Sequence, residues 1–553
     1  MEPQRPTTPT PQQRIAIISA EFKGLAQRGG LGDVVRDLSL SLADQDKDVS
    51  VLIPYYDVID AQTSPLTSLD VDFAGRSWRV GVYFAEIGGV TIYLLRNDFF
   101  FGGQYGDVYV DSSRYDRGPF EDDAKRFAFF STAALDYMQT LHRQRPFSIL
   151  HAHDWHTGSM FLSLRFDSRY NALARDIKTV FTIHNLDYQG VRPFAAEQKN
   201  RLVSYADWFP GLYQLLRRHD YVKKFSHPGA AEPCFNFMRT AIQLADNLTT
   251  VSPTYAKEIL KADDPQAAFL GGRGLEKDLR RAYRQGRLHG ILNGIDYRVF
   301  DPSQMTPGYD VNRGDHMARK SQHKRGLLAV LRRKLSTMPN LADREALLAK
   351  ISELASGGWM QKPLVILCSR MASQKVSLLM EPQGDTRSVA VDQILNKDLN
   401  AIFLGRGELE GKMSAAVNRH RNGLMIAGFD AEIEKDLYSA GDLFLMPSDF
   451  EPCGVSQMKA MRFGCLPIVH HIGGLRDTVT NEETGFSFRA PERGLRRERF
   501  VSAVGKAVKM CAVGSSRWHL MQKKAMLARF EWKASTQKYL ALYQGSGALA
   551  PVA

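Results

Sequence analysis

The chain has 553 residues, too many for one ordinary core, so two domains with insertions are expected. Its 44% hydrophobic and 24% charged residues suit a globular protein, and no apolar run approaches the ~20 residues of a membrane-spanning helix. The formal charge of +12 is spread out, with local enrichment at 280–290, 318–334 and 493–500, which argues against a nucleic-acid partner and fits attraction of a phosphorylated small molecule.

Residues 1–13, rich in Pro, Thr and Gln and lacking an apolar core, read as a disordered tail and not as a signal peptide. Short β-branched runs follow, most of them leading into helical periodicity: 14–19, 49–54, 90–95, 148–154, 178–184, 247–252 and 290–295. A second set lies at 363–369, 399–405, 423–428, 442–447 and 466–471. Continuous apolar strands alternating with helices predict parallel sheets covered on both faces, hence two doubly wound α/β domains. The segment between the sets, about 303–360, is basic and helix-forming. Insertions are expected at 98–122, an aromatic and Gly-rich stretch read as a mobile surface loop, at 191–234 and at 303–340, the last read as a solvated helix. Five scattered cysteines without a CxxC pair fit a reducing compartment and argue against a structural zinc site.

In open parallel sheets ligands bind beyond the carboxyl ends of the strands. The unusual residues recur there: "GGLGD" (29–33), "HAHDW" (151–155), "TIHN" (182–185), "VSPTY" (251–255), "LNGID" (292–296), "CSRMASQK" (368–375), "GRGE" (405–408), "PSDFEPCG" (447–454) and "HHIGGLRDT" (470–478). Each alone has a bland reading, as a tight turn, a cap or a structural histidine; their convergence favours ligand sites. Arg370 and Lys375, five residues apart, can both reach one diphosphate, the guanidinium as a fork and the ammonium as a point charge. The turn Gly473, Gly474, Leu475 opens a helical segment and offers backbone N–H groups to an anion. Glu451 is a carboxylate able to accept from sugar hydroxyls. A Walker-type phosphate loop and a dinucleotide fingerprint are both missing from the sequence. A nucleotide-activated sugar therefore suits the pattern better than a kinase-type ATP or NAD.

The blocks "GGLGDVV", "HAHDWHTG", "FTIHNLDYQG", "TTVSPTYAKEI", "GRLHGILNGID", "SRMASQK", "FEPCGVSQMKAMRFGCLPIV" and "GGLRDTV" resemble, in order and across 14–545, those of the starch/glycogen synthase family of GT-B glycosyltransferases. The resemblance implies two Rossmann-like domains facing a central cleft. It places the acceptor-side domain at 14–302, the nucleotide-sugar domain at 303–525 and a terminal helix returning to the first domain at 526–553. It also implies retaining transfer of glucose from ADP-glucose or UDP-glucose to the non-reducing 4-OH of an α-1,4-glucan, in the cytoplasm. No cofactor, metal, membrane or nucleic acid is implied.

By the same resemblance, Arg370 and Lys375 stabilise the leaving diphosphate, Glu451 contacts the donor glucose with Cys453 and Gly454 beside it, and Gly473, Gly474 and Leu475 form the phosphate-side turn. Asp154, His184 and Asn293 surround the transferred sugar, with His184 positioning and not acting as a general base. Gly29, Gly30, Gly32 and Asp33 lie against the donor. A front-side, oxocarbenium-like displacement is expected, since the pattern offers no nucleophilic carboxylate beside the anomeric carbon. The chain departs from the pattern at Gln27, where the family's turn has lysine, with Arg28 next to it; at Val376, where many members have glycine; and at Lys459, where the wider superfamily has a second carboxylate. A divergent paralogue that binds glucan or nucleotide sugar with little turnover, and a related enzyme with another donor or acceptor, remain open alternatives.

Overall fold

The computed structural model describes residues 13–110, 120–195, 203–338, 341, 343–382 and 388–545. The expected tail lies outside the described residues except for Gln13. The chain divides into two compact units, one formed by the described residues of Met1–Ala262, Gly271–Gly294 and Trp532–Ala553, the other by those of Asp263–Leu270 and Ile295–Glu531.

In the first unit, strands β1 (Arg14–Ile18), β2 (Asp48–Pro54), β3 (Ser64–Phe73), β4 (Arg76–Ile87), β5 (Val90–Arg96), β6 (Ile149–His153) and β7 (Lys178–Ile183) are followed by a small antiparallel pair, β8 (Val191–Pro193) and β9 (Cys234–Asn236). Strands β10 (Asn247–Thr250) and β11 (Leu288–Gly290) complete the set. The nine-stranded sheet has the order β11-β10-β7-β6-β1-β2-β5-β4-β3. From β11 to β5 its neighbours pair in parallel. Strands β1, β2, β6 and β7 are almost wholly buried, as central parallel strands covered on both faces are.

The first sheet differs from the expectation of purely parallel pairing at one edge. There β3, β4 and β5 pair antiparallel, joined by tight turns whose glycines, Gly75 and Gly88, have φ of +70° and +57°. The alternating exposure along β3 and β4 is what a half-covered hairpin requires, and no continuous apolar run announces it. The strand expected at 290–295 ends at Gly290. Beyond it the chain is held by the helix Trp532–Gln544: the Ser535 hydroxyl donates to the Leu292 carbonyl, and a Cβ on Gly294 would lie 2.6 Å from the Trp532 nitrogen. The same helix donates from Trp532 Nε1 to Asp37 at 3.2 Å and pairs its Tyr543 hydroxyl with His151 Nδ1 at 2.7 Å.

The segment 98–110, expected to be mobile, is pinned by Arg126, a buried guanidinium on the helix Glu121–Gln144. It donates to the carbonyls of Phe100 (2.7 Å), Tyr105 (2.7 Å) and Asp107 (2.6 Å) and pairs with Asp123 at 2.6 Å. Residues 111–119 of that expected loop, and 196–202 of the next insertion, lie outside the described residues.

The second unit is a six-stranded, all-parallel sheet of β12 (Leu364–Cys368), β13 (Asn400–Gly405), β14 (Gly423–Ala427), β15 (Leu443–Met446), β16 (Leu466–His470) and β17 (Phe486–Phe488) in the order β14-β13-β12-β15-β16-β17. The helix His316–Thr337 corrects the reading of 303–340 as solvated. It buries Leu327, Leu331 and Leu335, and also Lys320, whose ammonium donates to the carbonyls of Tyr438, Ser439 and Phe463 at 3.0–3.1 Å. Its basic composition conceals a core helix because the buried lysines find carbonyl partners. Among the described residues no helix is long and apolar enough to cross a membrane.

Candidate functional site

In the first unit the turn after β1 leads into the helix Gly30–Ala43. Two of its N–H groups are spent within the turn: those of Arg28 (2.8 Å) and Gly29 (3.0 Å) donate to the carboxylate of Glu21, which is buried. Burial pushes the Glu21 pKa up, opposed by these hydrogen bonds. Glu21 also accepts from the Tyr109 hydroxyl at 3.4 Å, and Tyr109 pairs with His156 Nε2 at 2.8 Å.

Asp33, in the first helical turn, is gripped from two sides: Lys23 Nζ is 2.5 Å from Oδ1 and Gln27 Nε2 is 2.5 Å from Oδ2. Gln27 also donates to the Gly29 carbonyl at 2.8 Å. Arg28 turns aside, to Asp107. A Cβ on Gly32 would press on Gln27 Cγ at 3.1 Å and on the Lys23 nitrogen at 3.2 Å, so a side chain here needs its neighbours to give by a few tenths of an ångström. Cβ atoms on Gly29 and Gly30 would meet nothing within 4 Å. Neither has a left-handed φ, so nothing within the turn itself demands glycine at these two positions.

Asp154, after β6, has φ +59° and ψ 177°, a combination essentially reserved for glycine and held only when the surroundings dictate it. Its carboxylate accepts from the Trp155 N–H at 2.9 Å, and burial pushes its pKa up to about 8. His184, after β7, meets His153 Nδ1 through Nε2 at 3.0 Å. Burial lowers His184 to about 3 and His153 well below the usual imidazole range, so both are neutral near pH 7. His153 Nε2 and Asn293 Oδ1 are buried with no hydrogen-bond partner among the described residues. An orphaned buried polar atom is costly, and a ligand or water would complete its bonding. His151, by contrast, is saturated by Tyr543 and by Thr182 at 2.6 Å and is structural.

In the second unit the loops after β12 and β15 are zipped together. Asp449 N–H donates to the Gln374 carbonyl (3.0 Å), Gln374 Nε2 to the Phe450 carbonyl (2.7 Å), and the Ser377 hydroxyl to Asp449 (2.5 Å). This frame aims Lys375, on the helix Ser373–Met380, at Glu451, and the two form an ion pair that also receives the Ser448 hydroxyl at 3.1 Å. Lys375 and Glu451, given separate roles from sequence, are thus brought together. Arg370 is exposed, and its guanidinium has no ion-pair partner among the described residues. Lys459, at the superfamily's second carboxylate position, turns to Glu434 at 3.5 Å and lies over the Phe300 ring.

Gly473 and Gly474 are set by packing. Cβ atoms there would lie 1.9 Å from the Glu451 carbonyl oxygen and 2.3 Å from that of Cys453, and Gly473 has φ +43°. The N–H of Gly474 donates to the carbonyls of Glu451 (3.1 Å) and Pro452 (3.2 Å), so that donor, expected to serve an anion, is turned inward. Gly454, at φ +70°, and the buried Cys453 and Leu475 complete the loop, tied by Gln457 Nε2 to the Gly454 carbonyl (3.0 Å) and Thr478 (3.1 Å). Among the described residues no group of three or more His, Cys, Asp or Glu side chains is arranged to hold a metal ion.

Sequence reasoning missed Glu21 and Lys23, and it did not single out His153 within the block at 151–155. The available signal was position: all three lie at or just beyond the carboxyl ends of β1 and β6, where ligand-facing residues of such sheets gather.

Two Rossmann-like parallel-sheet units carrying these loops define the GT-B class of glycosyltransferases, and the comparisons agree. The description "Starch synthase catalytic domain" matches residues 14–281 and "Glycosyl transferases group 1" matches 363–509. The catalytic domain of starch synthase IV from Arabidopsis thaliana, solved with ADP and acarbose bound, superposes with a TM-score of 0.75 at 26% identity, over 97% of this chain and 99% of that one. The sucrose-phosphate synthase of Thermosynechococcus elongatus, at 15% identity and TM-score 0.54, shares the fold. Glycogen synthases of Streptococcus mutans (33% identical over 545 residues) and Streptococcus gordonii (32% over 548) each match 96% of this chain and 99% of their own length. The chain belongs to the glycogen/starch synthase family and is a glycosyltransferase.

Proposed function

We propose that the protein elongates α-1,4-glucans, transferring glucose from ADP-glucose or UDP-glucose to the non-reducing 4-OH with retention. The observation that carries this reading is the Lys375–Glu451 pair on its braced loops, in a chain similar end to end to glycogen synthases. The second unit takes the nucleotide sugar: Arg370 and Lys375 neutralise the charge that develops on the departing diphosphate, an electrostatic contribution that needs no proton transfer. Glu451, once Lys375 turns to phosphate, accepts from donor hydroxyls, with Cys453, Gly454, Gly473, Gly474 and Leu475 shaping the loop. The first unit serves the acceptor side. His153 Nε2 and Asn293 Oδ1 are the polar atoms whose bonding a sugar hydroxyl would complete.

Asp154, kept protonated near neutrality, can donate a hydrogen bond without adding charge beside an oxocarbenium-like centre. Neutral His184 positions and does not act as a base. The nucleotide sugar is a substrate, and the reaction as proposed uses no cofactor. The five free thiols fit the cytoplasm as the place of action. The test is purified protein with glycogen primer and ADP-glucose or UDP-glucose in parallel, following nucleoside diphosphate release and glucan extension. Turnover with one donor is expected; none with either at high enzyme concentration overturns the reading.

A further inference from the structure

We infer that the second unit holds a binding site for a small organic anion at the amino ends of β12 and β15, away from the loops that carry Arg370, Lys375 and Glu451. The transferase reading makes no use of it. A cavity of about 220 Å³ opens there, many times the roughly 10–15 Å³ that one water needs and smaller than the pockets of about 300–1,000 Å³ that hold drug-sized ligands. It is built by the helix His316–Thr337, the segment 360–363 leading into β12, Asp442 at the entry to β15, and the helices Arg493–Val513 and Ser516–Leu527.

The walls carry more positive charge than they neutralise. Lys320 is buried, and its ammonium spends all three N–H groups on the carbonyls of Tyr438, Ser439 and Phe463, which satisfies its hydrogen bonds without cancelling its charge. Lys324, one helical turn on and also buried, donates to the Lys362 carbonyl at 2.6 Å and to Asp442 Oδ2 at 3.1 Å, so one N–H remains. Asp442 is thus the single carboxylate in the wall for two buried ammoniums, and the same Oδ2 also accepts from the Leu364 N–H at 2.8 Å. Lys362 lines the cavity as well, matched at 3.4 Å by Asp398, which lies outside it. An anion in the cavity would supply the missing negative charge where burial makes an imbalance costly.

The rest of the wall specifies what else the ligand carries. Met317, Met360 and Trp518 offer apolar surface to a short carbon arm. Gln522, which is 2% exposed, donates Nε2 to the Gly464 carbonyl at 2.9 Å, leaving Oε1 buried without a partner among the described residues. A hydroxyl on the arm would complete that bonding. Phosphate and carboxylate heads both suit the Lys324 ammonium, which acts as a point charge. What they share is an anionic head on a short hydroxylated arm.

Binding is measured by calorimetry on the full chain with sn-glycerol 3-phosphate, glycerate, inorganic phosphate and glycerol, in the wild type and in Lys324→Gln, Ala512→Phe and Lys375→Ala. At least one of the two organic anions is expected to bind, more tightly than inorganic phosphate, and glycerol is not. Lys324→Gln is expected to weaken that binding about tenfold to a hundredfold by removing the remaining ammonium N–H. Ala512 lies at the exposed rim, so Ala512→Phe obstructs the cavity without touching a charge and decides the matter if Lys324→Gln, by unpairing Asp442, fails to fold. Lys375→Ala is expected to leave binding unchanged. Failure of both organic anions to bind overturns the inference, as does binding that persists undiminished in a folded Lys324→Gln or Ala512→Phe protein. Equal affinity for inorganic phosphate removes the carbon arm and its hydroxyl and overturns the ligand class. Binding abolished by Lys375→Ala also overturns the inference, since the anion would then occupy the nucleotide-sugar loops. A wild type that binds an organic anion in this way but turns over neither donor overturns the transferase reading alone.

Discussion

The two glycine turns, Gly29–Gly30 in the first unit and Gly473–Gly474 in the second, look interchangeable on paper: each pair precedes a leucine and opens a helix. Their reasons for being glycine are opposite. At 473 and 474 a Cβ would drive into the backbone of the Glu451–Cys453 loop, so the protein's own packing dictates the residue. At 29 and 30 nothing in the described structure forbids a side chain. The turns also spend their N–H groups differently, on a buried carboxylate in the first and on backbone carbonyls in the second. A glycine at a strand–helix junction is therefore weak evidence for a ligand until the space above it is known to be needed by nothing else.

The comparison makes the second turn the support of a charged pair, and the largest effect should come from that pair. Lys375→Ala should lower kcat by on the order of 10²–10³ and, by leaving buried Glu451 unpaired, also destabilise the fold. Adding Glu451→Gln should restore the melting temperature and leave activity low; full activity in Lys375→Ala would remove the pair from the chemistry. Next, Gly473→Ala should cost about 3 kcal/mol, from left-handed strain and the clash with the Glu451 carbonyl, measured by urea unfolding. A neutral result would show that the loop yields.

The first unit's site should reveal itself through pH. His151, His156 and His184 are held neutral with pKa values of about 3, against 6.5 when unfolded, so their contribution is present above pH 6.5 and is lost as pH falls. Each accounts for on the order of 2 kcal/mol by pH 5. Asp154, raised to about 8, works in the opposite sense and offsets about one imidazole's share between pH 7 and pH 5. Unfolding at the two pH values should therefore show a net loss in acid. Smallest in stability is Gly30→Ala: within about 1 kcal/mol of wild type, yet with lowered donor kcat/KM if the open space belongs to a ligand. Unchanged kinetics would make the first turn as private to the protein as the second.

Much of this was legible in the order of residues. Short, unbroken, β-branched apolar runs such as Ile15–Ile18 and Leu364–Cys368 read as strands covered on both faces, so the parallel cores followed from composition and run length. The polar residues at their carboxyl ends supplied the candidate sites, and their order along the chain marked the family. The hairpin of β3 and β4 escaped because its alternation is diluted by exposed polar positions, and the core helix His316–Thr337 escaped because its lysines bury against carbonyls that the sequence does not announce.

The sequence by itself determined the apolar parallel strands and the family, and nominated candidate site residues, since these depend on local period and identity. Only the tertiary structure decided which groups meet. Lys23 and Gln27 share Asp33, Lys375 pairs with Glu451, and Arg28 leaves for Asp107, 79 positions further along the chain. The physical reason is that a side chain's partner is chosen by three-dimensional distance and burial, and neither is written in the spacing between neighbours.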